Sequence, residues 1–341
     1  MMMKRLFSSI SLSSSLPLLN PASAGIAAFT FSRALVRTLS PDFAASALRS
    51  ADTAAELCAP IDGELATRQH AAYVSALRAL LPAGGVTELP AASGCADSCF
   101  IEDTAIVVGG RALLTTPGAP SRRNEVAGVS AALTAAGVRT AVCPPGATLD
   151  GGDVLYTGRE FFVGLSARTN AAGAAALGAA FPGLRVTPVP LVALAASVER
   201  AQTARLAHPT ARKQLNAQRS AASPLHLKSI VSIVGADTIA VADTPLGNEV
   251  AHFLQDASGV PRALKRAGAK IQFVLIPSID AAAANALLVN GTLLIRSGTE
   301  HAQGAAELCD FAKGVGLGVV QLDMSELAKA DGALTCCSIL F

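Results

Sequence analysis

The chain has 341 residues, with 27 Lys and Arg against 25 Asp and Glu, and 51% apolar against 15% charged side chains. A net charge of +2 offers no general attraction to nucleic acid or an anionic membrane, and the apolar fraction is too high for a disordered polymer. No stretch reaches the about 18 uninterrupted apolar residues of a spanning helix, and seven cysteines without framework spacing leave at least one thiol expected free.

From Met1 to Pro41 there is no carboxylate; Lys4, Arg5, Arg33 and Arg37 are the basic residues, and Ser8 to Ser15 is serine-rich. An acid-free, basic, Ser-rich start reads as a mitochondrial or plastid transit peptide. A secretory signal cleaved after Ala22, Ser23 and Ala24, or a plain cytosolic extension, are the alternatives. Residues 1–25 are therefore set aside as an extension, and 26–341 are taken as one domain.

Beyond it one phrase repeats: an apolar run, a turn, a second apolar run, then an Ala-rich helical segment. The copies are FIEDTAIVVGGRALLTT (100–116), GDVLYTGREFFVG (152–164), KSIVSIVGADTIAVA (228–242) and NALLVNGTLLIRS (285–297). Each pairs two short strand-forming runs around a turn glycine, at 110, 158, 235 and 291, as a hairpin does. Helices are expected over 123–136, 170–180, 248–256 and 300–313. The last run, LTCCSILF (334–341), lacks a downstream partner, and Thr30 to Thr38 is the unpaired run left to meet it. The two termini then complete a fifth unit and close a ring. The expectation is a five-bladed α/β propeller of ββαβ-type repeats around a central site, because one hairpin with one helix cannot bury its own apolar face. Two open α/β domains are the alternative. A basic insertion at about 191–223, with Arg200, Arg205, Arg212, Lys213 and Arg219 but no aromatic residue, is a poor platform for stacking bases and reads as a solvated surface helix or loop.

A ring collects one chemical group per repeat near its axis. The candidates are Asp97, Glu102 and Asp103; Asp150 and Asp153; His226; and Cys336 in the expected closing strand, where Cys336 and Cys337 would face opposite sides. A cysteine with a distant histidine and carboxylates is the pattern of a nucleophile with its acid/base and orienting group. Taken singly, a buried inert thiol, a satisfied histidine and turn carboxylates remain open readings. Cys95 and Cys99 lack the second pair a zinc site requires. Arg122 and Arg168, at equivalent places after the second strand of their repeats, suit a substrate carboxylate by a bidentate fork, or else make salt bridges.

Taken together, FIEDTAIV, TTPGAPSRRNEV, LDGGDVLYTGREFFVGLSARTN, LHLKS and MSELAKADGALTCCS resemble the dimethylarginine dimethylaminohydrolase family of guanidino-group modifying enzymes, in the same order, from about Phe29 to Phe341. The chain departs at the extension, the insertion and the very end. The resemblance implies hydrolysis of Nω-methylated arginines to citrulline and a methylamine, with Cys336 as nucleophile, His226 as general acid/base and Asp150 orienting it. It implies Asp97, Glu102 and Asp103 around the guanidinium and Arg122 and Arg168 on the α-carboxylate. Carbonyls of Leu48 and of Ala330, a valine in most of the family, would take the α-amino group, with Asp331 adjoining. No cofactor or metal is implied, although zinc at Cys336 would inhibit by masking the thiol. The expected partner is a small-molecule substrate, with no nucleic acid or membrane, in a monomer or homodimer. Arginine or agmatine deimination, or an inactive binding propeller, are the competing readings.

Overall fold

The computed structural model describes residues 29–49, 59–205, 225–259 and 271–341. The expected leader at 1–25 and residues 206–223 of the insertion lie outside these.

Strand β1 (Ala34–Arg37) is followed by a short helix α1 (Phe43–Ser46), helix α2 (Gly63–Leu80) and strand β2 (Val86–Leu89). Helix α2 starts where Asp62 accepts the Leu65 N–H at 2.9 Å, a side-chain cap on an otherwise unpaired donor. It buries Ala66, Gln69, His70, Tyr73, Val74 and Leu77, a stripe at helical spacing. Four complete blades follow. The first is β3 (Ala105–Val108), β4 (Arg111–Leu114), α3 (Val126–Ala135) and β5 (Arg139–Val142); the second is β6 (Val154–Tyr156), β7 (Glu160–Gly164), α4 (Ala171–Ala180) and β8 (Arg185–Val189). After helix α5 (Leu191–Arg205) the third is β9 (Val231–Gly235), β10 (Thr238–Ala242), α6 (Pro245–Ala257) and β11 (Gln272–Ile276). The fourth is β12 (Leu287–Val289), β13 (Thr292–Arg296), α7 (Ala302–Val315) and β14 (Gly318–Leu322), and a short helix α8 (Ser325–Ala328) leads to β15 (Ile339–Leu340).

In every blade the first two strands are antiparallel and the third lies parallel to the second, as a crossover through a helix requires. The fifth blade is assembled from both chain ends: β15 pairs antiparallel with β1, with Leu35 opposite Ile339, and β1 pairs parallel with β2. The expected ring closure and hairpins are thus observed. Residues of the first strand of all five blades line one axial cavity of about 170 Å³, so these are the inner strands. The core is divided among five apolar clusters, each spanning two neighbouring blades. Five blades need five interfaces only if the ring is closed.

Three expectations shift. Cys336 and Cys337 do not lie in the closing strand but in a 3-10 turn, Thr335–Cys337, just before it; they still diverge, Cys337 into the core and Cys336 partly accessible. Gly235 ends β9 rather than turning the chain, and the positive φ of that hairpin falls on Asp237 (55°), a residue type that tolerates it. Helix α5 is not wholly solvated: Leu191 is buried and Leu194 packs on the cluster between blades two and three. Among the described residues no helix is long and apolar enough to cross a membrane.

If the ring is closed, the terminal blade is as tightly held as an internal one. Leu35→Ala and Leu155→Ala, both 2% exposed, should each cost about 2–5 kcal/mol in denaturant unfolding. A cost below about 1 kcal/mol for Leu35→Ala alone would mean a frayed closure.

Candidate active site

Each inner strand is preceded by a 3-10 turn, and the five turns meet at one end of the axis. They are Ile101–Thr104, Gly151–Asp153, Leu227–Ser229, Ser278–Ala284 and Thr335–Cys337. The turns or their flanks carry Glu102 and Asp103, Asp150 and Asp153, His226, and Cys336. Sequence-distant residues converge because the propeller repeats one backbone solution five times.

One pocket holds Leu48, Arg49, Asp97, Phe100, Asp103, Arg122, Asp150, Arg168, Leu225, His226, Ala330, Asp331 and Cys336. Every expected site residue except Glu102 and Asp153 is among them. His226 is buried, with Nε2 3.0 Å from Asp150 Oδ2; Asp150 Oδ1 accepts the Gly118 N–H at 2.7 Å. The paired glycines of LDGGDV are demanded by contact. A Cβ on Gly151 would lie 2.1 Å from the Glu102 carbonyl oxygen, and one on Gly152 would lie 2.5 Å from His226 Nδ1. Without side chains there, the turn of blade two sits flush between its neighbours. Asp103 and Asp153 stitch it in place, Asp103 Oδ1 accepting the Gly152 N–H at 2.8 Å and Asp153 Oδ1 the Leu227 N–H at 2.9 Å.

Asp103 and Arg122 are not the free substrate contacts the sequence suggests. Arg122 Nη1 donates to Asp103 Oδ2 at 2.6 Å, and its remaining bonds go to Glu125 through Nε and Nη2 and to the Phe100 carbonyl through Nη2. That uses four of five guanidinium N–H donors and leaves one, so Arg122 cannot offer a bidentate fork. Its neighbour Arg168 makes no ion pair with a described residue and lines the same pocket. Glu102 is also committed: it pairs with Lys228 and accepts from Thr335 Oγ1 at 3.0 Å. It faces the axial cavity, on the other side of the turns. Asp97, buried, accepts the Leu48 N–H at 2.9 Å.

The electrostatics follow from this crowding. Burial alone would lower the His226 pKa, but Asp103, the Asp150 hydrogen bond and Asp153 overcome it and raise it from 6.5 to about 9. Burial raises Asp103, yet His226 and Arg122 hold it below the ordinary carboxylate range. Burial, with the Glu102 and Asp103 charges, pushes the Cys336 thiol well up. The field of the pocket therefore favours the imidazolium form of His226 and the thiol form of Cys336 at neutral pH. Among the described residues the metal-type donors that converge are Asp103, Asp150 and His226, all within 4.8 Å of one another; Cys95 and Cys99 take no part.

Sequence reasoning missed Arg49, Phe100 and Leu225 on the pocket wall, and Lys228, Thr335 and Glu125 behind it. Phe100 and Leu225 are the first residues of motifs already singled out, while the roles of Lys228 and Thr335 depend on partners in other blades and that of Glu125 on how Arg122 is turned.

No family model matches the chain. It is 32% identical over 310 residues to an N(G),N(G)-dimethylarginine dimethylaminohydrolase of Streptomyces coelicolor, covering 90% of this chain and 96% of that protein. Among solved structures, a cysteine-to-serine mutant of dimethylarginine dimethylaminohydrolase from Pseudomonas aeruginosa, complexed with citrulline, matches with a TM-score of 0.68 at 24% identity over 92% of this chain and 100% of that one. The N-terminal domain of a cyanobacterial arginine dihydrolase, covalently bound to a reaction intermediate, matches with a TM-score of 0.63 at 16% identity, over 90% and 97% of the two chains. These two structures share the fold.

The raised His226 pKa is directly measurable. Since the native midpoint lies above 6.5, the charged form's contribution to stability is complete below pH 6.5 and is lost as pH rises through about 9. An NMR titration of the imidazole should give a midpoint near 9 in the wild type and a lower one in Asp150→Asn; a wild-type midpoint near 6.5 would contradict the field described.

Proposed function

The chain belongs to the dimethylarginine dimethylaminohydrolase family and is a hydrolase of C–N bonds in linear amidines; from that premise we propose that it converts Nω,Nω-dimethyl-L-arginine, and the monomethyl form, to L-citrulline and dimethylamine or methylamine. The observation that carries this reading is that Cys336 and His226 open on one pocket, with aspartates around the histidine and an Arg168 that makes no ion pair with a described residue.

A flat guanidinium suits the carboxylate-lined end near Asp103 and Asp150, each of whose oxygens keeps a lone pair beyond the bonds described. Arg168 receives the α-carboxylate, with one N–H from Arg122. Asp97 stands at the amino-group end, because the N–H it holds is that of Leu48, whose carbonyl is a candidate acceptor for the ammonium; Ala330, beside Asp331, supplies the other. Two anchored ends place the guanidinium carbon against sulfur, which is catalysis by positioning.

His226 is already protonated, so it is not the base that ionises the thiol. The arriving cation offsets the carboxylates that hold the thiol up, and Cys336 loses its proton to solvent as substrate binds. The thiolate attacks the guanidinium carbon, forming a C–S bond. The His226 imidazolium gives its proton to the departing dimethylamine nitrogen as the C–N bond breaks, leaving a cationic thiouronium on sulfur. Neutral His226 then takes a proton from water while the oxygen adds to the same carbon. Collapse breaks the C–S bond as the hydroxyl proton of the adduct passes to the departing Cys336 sulfur, which leaves the ureido group of citrulline, a restored thiol and His226 charged again.

Protein from Gly25 onward, incubated with asymmetric dimethylarginine, arginine and agmatine, should release citrulline and dimethylamine from the first. Cys336→Ser should lower kcat by at least about 10³-fold, as read by mass spectrometry of the products. Turnover of arginine or agmatine alone would assign deimination instead, and undiminished turnover by Cys336→Ser would remove the nucleophile. Binding of a non-reactive guanidinium analogue at pH 7 should also release a proton, measured by calorimetry in buffers of different ionisation enthalpy; no buffer dependence would mean the thiolate pre-exists.

A further inference from the structure

Blades one, two, three and five bring titratable or nucleophilic side chains to the junction of the turns; in the fourth blade Asp280 of the turn instead accepts the Gln303 and Gly304 N–H groups at the start of that blade's helix α7. That turn ends at Asn285, which is 2% exposed and lies outside the pocket wall. Asn285 Nδ2 donates to the Lys228 carbonyl oxygen and to Thr335 Oγ1, each at 3.0 Å, and Oδ1 accepts the Thr335 N–H at 3.1 Å. Thr335 immediately precedes Cys336, and Lys228 follows His226 by two residues. Thr335 Oγ1 donates its own hydrogen bond to Glu102, which pairs with Lys228. The bonds form a closed circuit through the turns of four blades: from the Asn285 amide one arm runs through Thr335 Oγ1 and the other through Lys228, both ending on the Glu102 carboxylate, and the Thr335 N–H returns to Asn285 Oδ1.

The turn bearing Cys336 needs such a tie. Its own backbone bonds, Cys336 N to the Ala333 oxygen and Cys337 N to the Leu334 oxygen, are internal to it. The strand behind it is two residues long. Anchors to other parts of the ring are Thr335, held by Asn285 and Glu102, and Ser338, whose Oγ lies 2.7 Å from Tyr73 OH. A primary amide provides two donors and an acceptor on one rigid plane; a carboxylate lacks the donors and an aliphatic side chain lacks both.

We propose that Asn285 is a positioning residue of the reaction, holding the Cys336 turn in register with the His226 turn without touching substrate. This rests on Cys336 and His226 being the reacting pair. A register error of about 1 Å between nucleophile and acid is worth about 100-fold in rate, so the effect belongs in kcat and not in affinity, which is set at Arg168 and Asp97.

The test uses the full chain with Asn285→Ala, the near-isosteric Asn285→Asp, Thr335→Val and Thr335→Ser. Active sites are counted by stoichiometric alkylation of Cys336, so a misfolded fraction cannot pass for a slow enzyme. Per active site, Asn285→Ala, Asn285→Asp and Thr335→Val should lose about 10- to 100-fold in kcat on dimethylarginine with KM within about threefold. Thr335→Ser, which keeps the hydroxyl, should stay within about threefold of wild type, and Asn285→Ala/Thr335→Val should be no worse than either single variant. The alkylation midpoint of Cys336 with iodoacetamide should fall by about one unit in Asn285→Ala, as loosening the turn relieves its burial. If Asn285→Ala does not fold, Asn285→Asp decides. Normal kcat per active site with an unchanged alkylation midpoint overturns the inference. Failure of the wild type itself to turn over dimethylarginine removes the functional reading, and the alkylation midpoints then decide on Asn285 alone.

Discussion

The structure depends on satisfying the polar groups of five short turns crowded onto one axis. Buried N–H groups at such a junction are costly unless bonded, and here side chains of one blade reach backbone donors of another: Asp103 to Gly152, Asp153 to Leu227, Asn285 to Thr335 and Asp150 to Gly118. The groups that complete the fold are therefore the groups that line or support the candidate site. The buried carboxylates are tolerated because each accepts such bonds; their charge raises the His226 pKa, while burial, with the Glu102 and Asp103 charges added, raises that of Cys336.

Two cavities meet at this junction and have opposite characters. The axial one is lined by the inner strands with Phe29, Phe31, Ile106, Leu288 and Leu340, while the pocket above is lined by acids, arginines and histidine. Between them lie the Glu102–Lys228 pair and Thr335. That division explains why Glu102, adjacent in sequence to Asp103, does different work: consecutive residues of a tight turn point to opposite sides, one toward the pocket and one toward the channel. In the proposed reaction, recognition of the guanidinium falls to Asp103 and Asp150 and that of the amino-acid end to Asp97 and Arg168, with one donor of Arg122.

Much of this was legible in the sequence. The hairpin phrases, the turns at Gly110, Gly158 and Gly291 and the pairing of the two terminal runs follow from periodicity and the need to bury each face. Cys336, His226 and Asp150 stand out because the phrases that carry them occur at the same point of successive repeats. What was not legible depends on partners far along the chain. Arg122 reads as a free fork until Asp103 and Glu125 are seen around it, and LTCCSILF reads as one strand because apolar periodicity does not separate a 3-10 turn from the strand it feeds. Asn285 stands two residues before β12 as Asp103 stands two before β3. That equivalence was the available signal, but a lone asparagine among alanines reads as a turn residue, and its three bonds go to backbone or hydroxyl atoms at least 50 residues away.

The most direct test of the account is to quench the enzyme in acid during a single turnover of asymmetric dimethylarginine and map any adduct by peptide mass spectrometry. The account predicts the substrate skeleton, less dimethylamine, on the peptide containing Cys336, with its sulfur as the attachment point, and no adduct in Cys336→Ser. Citrulline formation with no trapped adduct at any time point, or an adduct on Cys337, would contradict it.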